Sequence, residues 1–157
     1  MKRCFLQTPL GICQLLGDEQ GVSQLVLVEE ASLSVSIPKE LKAAATQIRE
    51  YFEGNRSVFD LKLNPAGTEF QKKVWDELQH IPYGKTLSYL ELSKKLGDPK
   101  AIRAVAAANG KNPLWIIIPC HRVIGSDGSL TGYAGGLWRK KWLLEHESPA
   151  TQQRLFG

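Results

Sequence analysis

Cysteine is scarce in this 157-residue chain. Its three residues, Cys4, Cys13 and Cys120, cannot all pair. That argues against a disulfide scaffold and for a reducing compartment, where a lone cysteine persists as a thiol. Long apolar runs are also missing. The longest strongly apolar stretch, Leu114 to Ile118, is far too short to span a bilayer, so no membrane partner is expected. The start is basic, but Asp18 and Glu19 interrupt the chain soon after it and no long apolar h-region is present. No secretory signal is expected. Metal-ligand spacing is absent as well. Cys4 and Cys13 stand nine apart with no histidine nearby, and His80, His121 and His146 show no paired spacing. Zinc takes four ligands at short paired spacings, so no metal is expected. There is no Walker-type loop, and Gly132-Tyr133-Ala134-Gly135-Gly136 lacks the strand–loop–helix setting of a dinucleotide fingerprint. No organic cofactor is expected. Internal repeats and low-complexity tracts are absent too.

What remains is an ordinary globular composition. Hydrophobic residues make up 43% of the chain, and the length suffices for a core in one or two domains. Charge is uneven. Residues 1–64 hold 7 basic and 8 acidic groups, whereas residues 65–157 hold 13 basic and 8 acidic ones. A polyanion would bind the second half, although so modest an excess does not by itself name nucleic acid.

Residues 3–7, 11–16 and 22–28 read as short strands. Turn compositions at Thr8-Pro9-Leu10-Gly11 and Gly17-Asp18-Glu19-Gln20-Gly21 separate them, giving a small antiparallel meander. A helix comes next, with Ser36 as its cap and Pro38 in its first turn. Its apolar face carries Leu41, Ala44, Ala45, Ile48 and Phe52, and Gly54-Asn55 stops it. Residues 55–67 have no periodicity, and the domain boundary falls there. The second half opens on a capping box, Thr68 with Gln71, before a helix whose apolar face is Phe70, Val74, Trp75 and Leu78. Ser88 and Glu91 repeat that spacing, with Leu87 and Leu92 as the hydrophobic staple. This helix stops at Gly97. Asp98 caps the next one, over 99–109, with Pro99 at its first position. The pair reads as a helix-turn-helix whose second helix is nearly all small residues around Arg103. Residues 115–118 read as one buried strand or extended segment, Ser126 to Ser129 as a turn, and 132–136 as a glycine-rich loop. A last helix carries Leu137, Trp138, Leu143 and Leu144, with Arg139-Lys140-Lys141 partly exposed. The expected class is α/β of the α+β type. Residues 1–64 form a small antiparallel-sheet domain with a helix. Residues 65–148 form a mainly helical, winged-helix-like domain, and 149–157 a polar tail.

Cys120 and His121 are adjacent, preceded by Pro119 and the apolar run. A free cysteine is most often a small buried hydrophobe. An imidazole beside a thiol, however, can take its proton and leave the reactive thiolate. A carboxylate behind the ring would fix its tautomer, and Glu147, at the end of the last helix, is the candidate if that helix folds back. A cysteine nucleophile near a DNA-binding helix pair suggests a reaction on nucleic acid. A cysteine hydrolase acting through an acyl-enzyme is the alternative reading of the same three residues.

The run Ile118-Pro119-Cys120-His121-Arg122-Val123 resembles the active-site signature of the O6-alkylguanine-DNA alkyltransferases, the methylated-DNA–protein-cysteine methyltransferases. Phe70-Gln71-Lys72-Lys73-Val74-Trp75, Ile81-Pro82-Tyr83-Gly84, Ser88-Tyr89, Arg103-Ala104-Val105, Asn109-Gly110, Asn112-Pro113, Gly132 to Leu137 and Trp142-Leu143-Leu144 with His146-Glu147 match in order and spacing. The similarity is strong over 65–148 and weaker before it.

The resemblance implies direct-reversal DNA repair by a single-turnover, suicide methyltransferase. An O6-alkylguanine, or less readily an O4-alkylthymine, is flipped from duplex DNA, and its alkyl group passes irreversibly to Cys120. His121 would act as base through a bridging water, oriented by Glu147. Tyr89 would donate toward guanine N3, and the Ala134 amide toward O6. The carbonyls of Cys120 and Val123 would accept from the exocyclic amine. Asn112 would tie the segment leading to Cys120 to the DNA-binding helices, and Tyr133 would wall the pocket. The second helix of the pair would enter the minor groove through Ala101, Ile102 and Arg103, with Arg122 also on the DNA side. Arg103 would fill the space the flipped base leaves. The resemblance further implies a monomer with no obligate protein partner, in the cytoplasm or, in a eukaryotic source, the nucleus. Ile102 is bulkier than the alanine often found there. Trp115 stands at a variable approach to the pocket, and Ala134 lacks a hydroxyl that some members carry.

Overall fold

The computed structural model describes residues 1–130, 133 and 135–148. They fall into two units. One comprises Met1–Ala66 with Pro113–Ile117; the other comprises Gly67–Asn112 with the described residues from Ile118 onward. The segment Pro113–Ile117 therefore packs with the first unit, whereas the sequence reading places it within the block 65–148.

The first unit is built on an antiparallel sheet of β1 (Lys2–Thr8), β2 (Gly11–Asp18) and β3 (Gly21–Val28) in the order β1-β2-β3. The Thr8 hydroxyl closes the first turn, donating to the Gly11 carbonyl at 2.7 Å and accepting from Leu10 N–H at 3.2 Å. Alternation puts Cys4, Cys13, Leu15 and Leu25 on one buried face. Gly21 lies at φ +133°, and a Cβ there would come within 2.8 Å of the Lys62 carbonyl oxygen. That close approach lets residues 62–64 run beside β3, with Val22 N–H donating to Lys62 and Asn64 N–H to Val22, both at 2.8 Å.

A single 3-10 turn, Lys39–Leu41, leads into α1 (Lys42–Phe52). Ser36 does not cap it. The turn begins at Pro38, whose carbonyl takes the Leu41 N–H at 2.9 Å, with no side-chain cap. An extended proline supplies the first acceptor directly, and Ser36 stays exposed outside the helix. Leu41, Ala44 and Ile48 face the sheet as expected, joined by the fully buried Tyr51. Tyr51 stacks on Phe59 at 5.6 Å, which anchors the aperiodic stretch after the helix.

Residues 115–118 are buried as expected, but the segment is not a regular strand. Leu25 N–H donates to Pro113 O and Trp115 N–H to Leu25 O, making one parallel bridge at Leu114. The chain then turns at Ile116, φ +72°, where Ile117 N–H reaches back to the Trp115 carbonyl at 2.8 Å. This is a γ-turn with positive central φ, rare for a β-branched residue and strained. Trp115 packs on Phe52 with ring centroids 6.4 Å apart.

The second unit begins with α2 (Glu69–Leu78), whose Thr68–Gln71 capping box is formed in both directions. Val74, Trp75 and Leu78 are buried, but Phe70 is 41% exposed. In the first turn of α2 it falls outside the stripe that the other three define. The Trp75 indole donates to Ala108 O at 2.9 Å, locking α2 to α4 (Ile102–Gly110). The two residues of β4 (Leu87–Ser88) lead directly into α3 (Tyr89–Lys95), capped by the Ser88–Glu91 box. Gly97 at φ +89° ends it. Asp98 accepts from Lys100 N–H, Pro99–Ala101 make a 3-10 turn, and α4 begins at its end. This is the expected helix-turn-helix. β5 (Val123–Ile124) pairs with β4 in parallel, Leu87 opposite Val123, a pairing too short to have a sequence period. The turn at 126–129 is present, closed by Gly128 N–H to Gly125 O at 2.9 Å.

The last helix, α5 (Leu137–Glu147), starts at Gly136 with φ +92°. Its buried residues are Lys140, Leu143 and Glu147, while Leu137 and Trp138 are 50% and 57% exposed. The expected apolar face is thus displaced. Spacings of three and four residues put 140, 143 and 147 on the inner stripe.

Candidate active site

Apart from Trp115, which belongs to the first unit, the residues that the sequence gathers around Cys120 and that the structure describes lie in the second unit. Two turns present the cysteine. Pro119, at φ −81° and ψ 66°, lets Cys120 N–H reach the Ile118 carbonyl at 2.8 Å, an inverse γ-turn. Residues Cys120–Arg122 then complete one 3-10 turn before β5. Two amides at the end of α4 hold this loop. Asn112 donates to Ile118 O at 2.7 Å, and Asn109 donates to Cys120 O at 3.4 Å. Cys120 is 7% exposed.

His121 and Glu147 meet as expected, because α5 does fold back on the loop. Nε2 of His121 lies 2.8 Å from Oε2 of Glu147. Arg122 grips the same carboxylate in a fork, Nε to Oε1 at 2.7 Å and Nη2 to Oε2 at 3.0 Å, and its Nη1 donates to Ile81 O at 2.7 Å. All three residues are buried. Burial alone would raise the Glu147 carboxyl. The His121 hydrogen bond and the Arg122 guanidinium outweigh it and hold the group well below the usual carboxylate range. Burial lowers the His121 pKa, the Glu147 carboxylate opposes this, and the charges of Arg122 and Lys140 add to it, so the ring stays neutral. An ionised carboxylate only accepts, so the neutral ring donates its Nε2–H to Glu147. The lone pair is then on Nδ1, which is buried and has no hydrogen-bond partner among the described residues. This is a base with its tautomer fixed from behind.

The thiol itself rests protonated. Burial pushes the Cys120 pKa up, while the Asn112 and Tyr133 side chains and the Lys140 charge pull it down without reversing the shift. Tyr89 is brought to the same centre: it opens α3 one residue after β4, the strand that pairs with β5. Lys140 of α5 is fully buried, its ammonium 5.8 Å from the Tyr89 ring centroid. Sequence reasoning missed Lys140, because a lysine between Arg139 and Lys141 reads as part of a solvated face. It also missed Asn109 as a tether, although Asn109-Gly110 is among the segments that match the family pattern.

Other expected residues divide by position. Val123 is buried in β5, and Tyr133 lies at intermediate exposure with its carbonyl accepting from Gly136 N–H at 2.9 Å. Ala134 lies outside the described residues. Ala101, Ile102 and Arg103 form the start of α4 and the turn before it. Ile102 and Arg103 are exposed there beside the small, exposed Ala104 and the half-buried Ala106. Arg122 does not join them. It is 7% exposed, and its guanidinium is taken by Glu147 and the Ile81 carbonyl, so the structure moves it from the polyanion side to the interior ion pair.

Two family models cover nearly the whole chain: the DNA binding domain of 6-O-methylguanine DNA methyltransferase over residues 69–149, and its ribonuclease-like domain over residues 1–65. A methylated-DNA–protein-cysteine methyltransferase of Methanosarcina barkeri is 48% identical over 150 residues, covering 91% of this chain and 94% of that one. The crystal structure of Mycobacterium tuberculosis O6-methylguanine methyltransferase is similar at 40% identity and a TM-score of 0.83, over 99% of this chain and 98% of that one. The OGT of the same organism in complex with DNA matches at 42% identity and a TM-score of 0.83, over 95% and 96%.

Proposed function

The chain belongs to the 6-O-methylguanine DNA methyltransferase family, and from that premise we propose that it repairs DNA by direct reversal, moving the alkyl group of an O6-alkylguanine irreversibly to Cys120. The observation that carries this reading is the buried Cys120–His121–Glu147 arrangement, with a neutral imidazole whose Nε2 is committed to Glu147. A resting thiol needs such a base only when it attacks. The Cys120 proton passes to Nδ1 of His121 through a bridging water. The sulfur pair forms the bond to the alkyl carbon as the carbon–O6 bond breaks. The charge left on the purine must be met by donors, and Tyr89 supplies one at guanine N3, the Ala134 amide another at O6. Carbonyls of Cys120 and Val123 read the exocyclic amine, Asn112 fixes the loop and Tyr133 walls the pocket. The thioether product has no easy hydrolysis, so each chain acts once.

Residues 65–148 carry both DNA contact and alkyl acceptance, and residues 1–64 form the smaller domain. The start of α4 is the DNA face: Ala101 and Ile102 approach the minor groove, and Arg103 occupies the gap that the flipped base leaves. O4-alkylthymine is a poorer substrate, because it lacks the exocyclic amine. The protein works as a monomer without cofactor or metal, in the cytoplasm of a prokaryotic source or the nucleus of a eukaryotic one. No helix among the described residues is long and apolar enough to cross a membrane.

The test is an intact-mass measurement after mixing the protein with a duplex holding one O6-methylguanine. A gain of one methylene, confined to Cys120, stopping at one per chain and absent from Cys120→Ser, is the expected result. A folded protein that binds the duplex and gains no mass overturns the reading.

A further inference from the structure

We propose that Asn109 is a further specificity-determining residue, its buried Oδ1 accepting from the exocyclic amine of the flipped guanine beside the Cys120 carbonyl. This rests on the alkyl-transfer reading of the site. The first support is an acceptor without a donor. Asn109 is 2% exposed, and its Oδ1 has no hydrogen-bond partner among the described residues. A buried acceptor left unmade is costly. Helix packing does not call for it. Val105, Ala108 and Asn109 are the buried residues of α4, and an alanine at 109 would favour the helix more. The tether does not account for the asparagine either. Its Nδ2 reaches the Cys120 carbonyl only at 3.4 Å, whereas Asn112 already holds the same loop at 2.7 Å.

The second support is the state of the Cys120 carbonyl. It accepts twice within the chain, from Val123 N–H at the end of the 3-10 turn and from Asn109 Nδ2. A carbonyl oxygen has two lone pairs, so an incoming amine finds both engaged. The Val123 bond belongs to the backbone turn. The Asn109 bond is long and comes from a side chain, so it is the one that yields. Two carbonyl-type oxygens share no proton, so Nδ2 faces the Cys120 carbonyl and Oδ1 lies beside it. The nitrogen and oxygen of an amide are about 2.3 Å apart. An amine that takes the place of Nδ2 therefore meets Oδ1 as well. One amine proton then lies between Cys120 O and Asn109 Oδ1, and the other goes to the Val123 carbonyl. A base without this amine leaves Oδ1 unpaired, and a stranded buried acceptor is what rejects an analogue that lacks the donor. The other unpaired acceptor of this region, Nδ1 of His121, serves the thiol proton.

The test reads single-turnover transfer from two duplexes. One holds O6-methylguanine, the other O6-methylhypoxanthine, the same base without the exocyclic amine. The variants are Asn109→Leu, which is similar in size, and Asn109→Ala, which favours the helix. The wild-type chain is expected to prefer the guanine duplex. Both variants lower that preference about tenfold, chiefly by slowing the guanine reaction. Alkylation of Cys120 by iodoacetamide, located by peptide mass, involves no base and does not follow the loss. Equal slowing on both duplexes overturns the proposal, and a matching change toward iodoacetamide would then leave Asn109 a tether of the loop. An unchanged preference also overturns it. So does failure of both variants to fold, because the asparagine would then serve the fold. If the wild-type chain gains no methyl group from either duplex, it is the transfer reading that fails. The equilibrium affinities of wild type and variants for the two duplexes need no transfer, and they still decide whether Asn109 reads the amine.

Discussion

Glu147 holds the tautomer of His121 and supplies the carboxylate that the Arg122 fork grips. Glu147→Gln leaves the buried guanidinium without its counter-charge, a loss of about 3–5 kcal/mol in stability. It also lets the imidazole turn over, and transfer to Cys120 should fall about 100-fold or more. Urea unfolding and single-turnover kinetics read the two effects separately. His121 makes a second prediction. Its folded pKa is lowered from 6.5, so below that value the unfolded chain binds a proton that the native state refuses. Stability is therefore full above pH 6.5 and falls as pH drops below it. Glu147, also depressed, adds a loss only at lower pH, through and below the ordinary carboxylate range. Thermal melts between pH 5 and 8 should show the decline, and His121→Gln should flatten it. The cysteine, histidine and glutamate were legible because Cys120 and His121 are adjacent and Glu147 ends a helix. Lys140 and Arg122 were not. Their basic side chains look like surface charge, and only the phase of α5 and the placement of Glu147 turn them inward.

The connection between α3 and α4 shows how local chemistry sets an element. Gly97 stands at φ +89° with open space around it. An alanine there meets no clash, only the left-handed backbone, and Gly97→Ala should cost about 1 kcal/mol. Gly110, at the end of α4, also has open space but no left-handed φ. Gly110→Ala should stabilise by about 0.4–1 kcal/mol, chiefly by restricting the unfolded chain. Chemical denaturation of the two variants checks the opposite signs. Signals of this kind explain what the sequence could and could not say about elements. Capping boxes at Thr68–Gln71 and Ser88–Glu91 involve neighbours only, so both helix starts were legible. The β4–β5 pair joins residues 36 positions apart over two rungs, and no periodicity can reveal that. The turn at Ile116 was hidden for another reason: a β-branched residue favours the strand or extended segment expected there.

At the scale of the molecule, the α4 face and the cysteine site differ in what they ask of the solvent. The net charge of +4 is concentrated beyond residue 64, and Arg103 is exposed, whereas the ion pairs around Glu147 are buried. Salt screens the first over about 8–10 Å and scarcely touches the second. Each phosphate neutralised by the protein releases counterions, so duplex affinity should fall with a log–log slope of about −0.9 per contact as salt rises. Transfer from duplex DNA at limiting protein should therefore slow steeply between about 50 and 200 mM salt. Transfer from the free base, O6-benzylguanine, which carries no phosphate, should change little if the pocket admits it. Alkylation by iodoacetamide gives the same comparison without a purine. Arg103→Ala should reduce the salt slope of the duplex reaction by no more than about one contact and leave the iodoacetamide rate unchanged. A duplex reaction indifferent to salt would place the nucleic acid away from this basic half. An iodoacetamide rate that fell with salt in parallel would mean that the charges around Cys120 are not shielded as the buried ion pairs require.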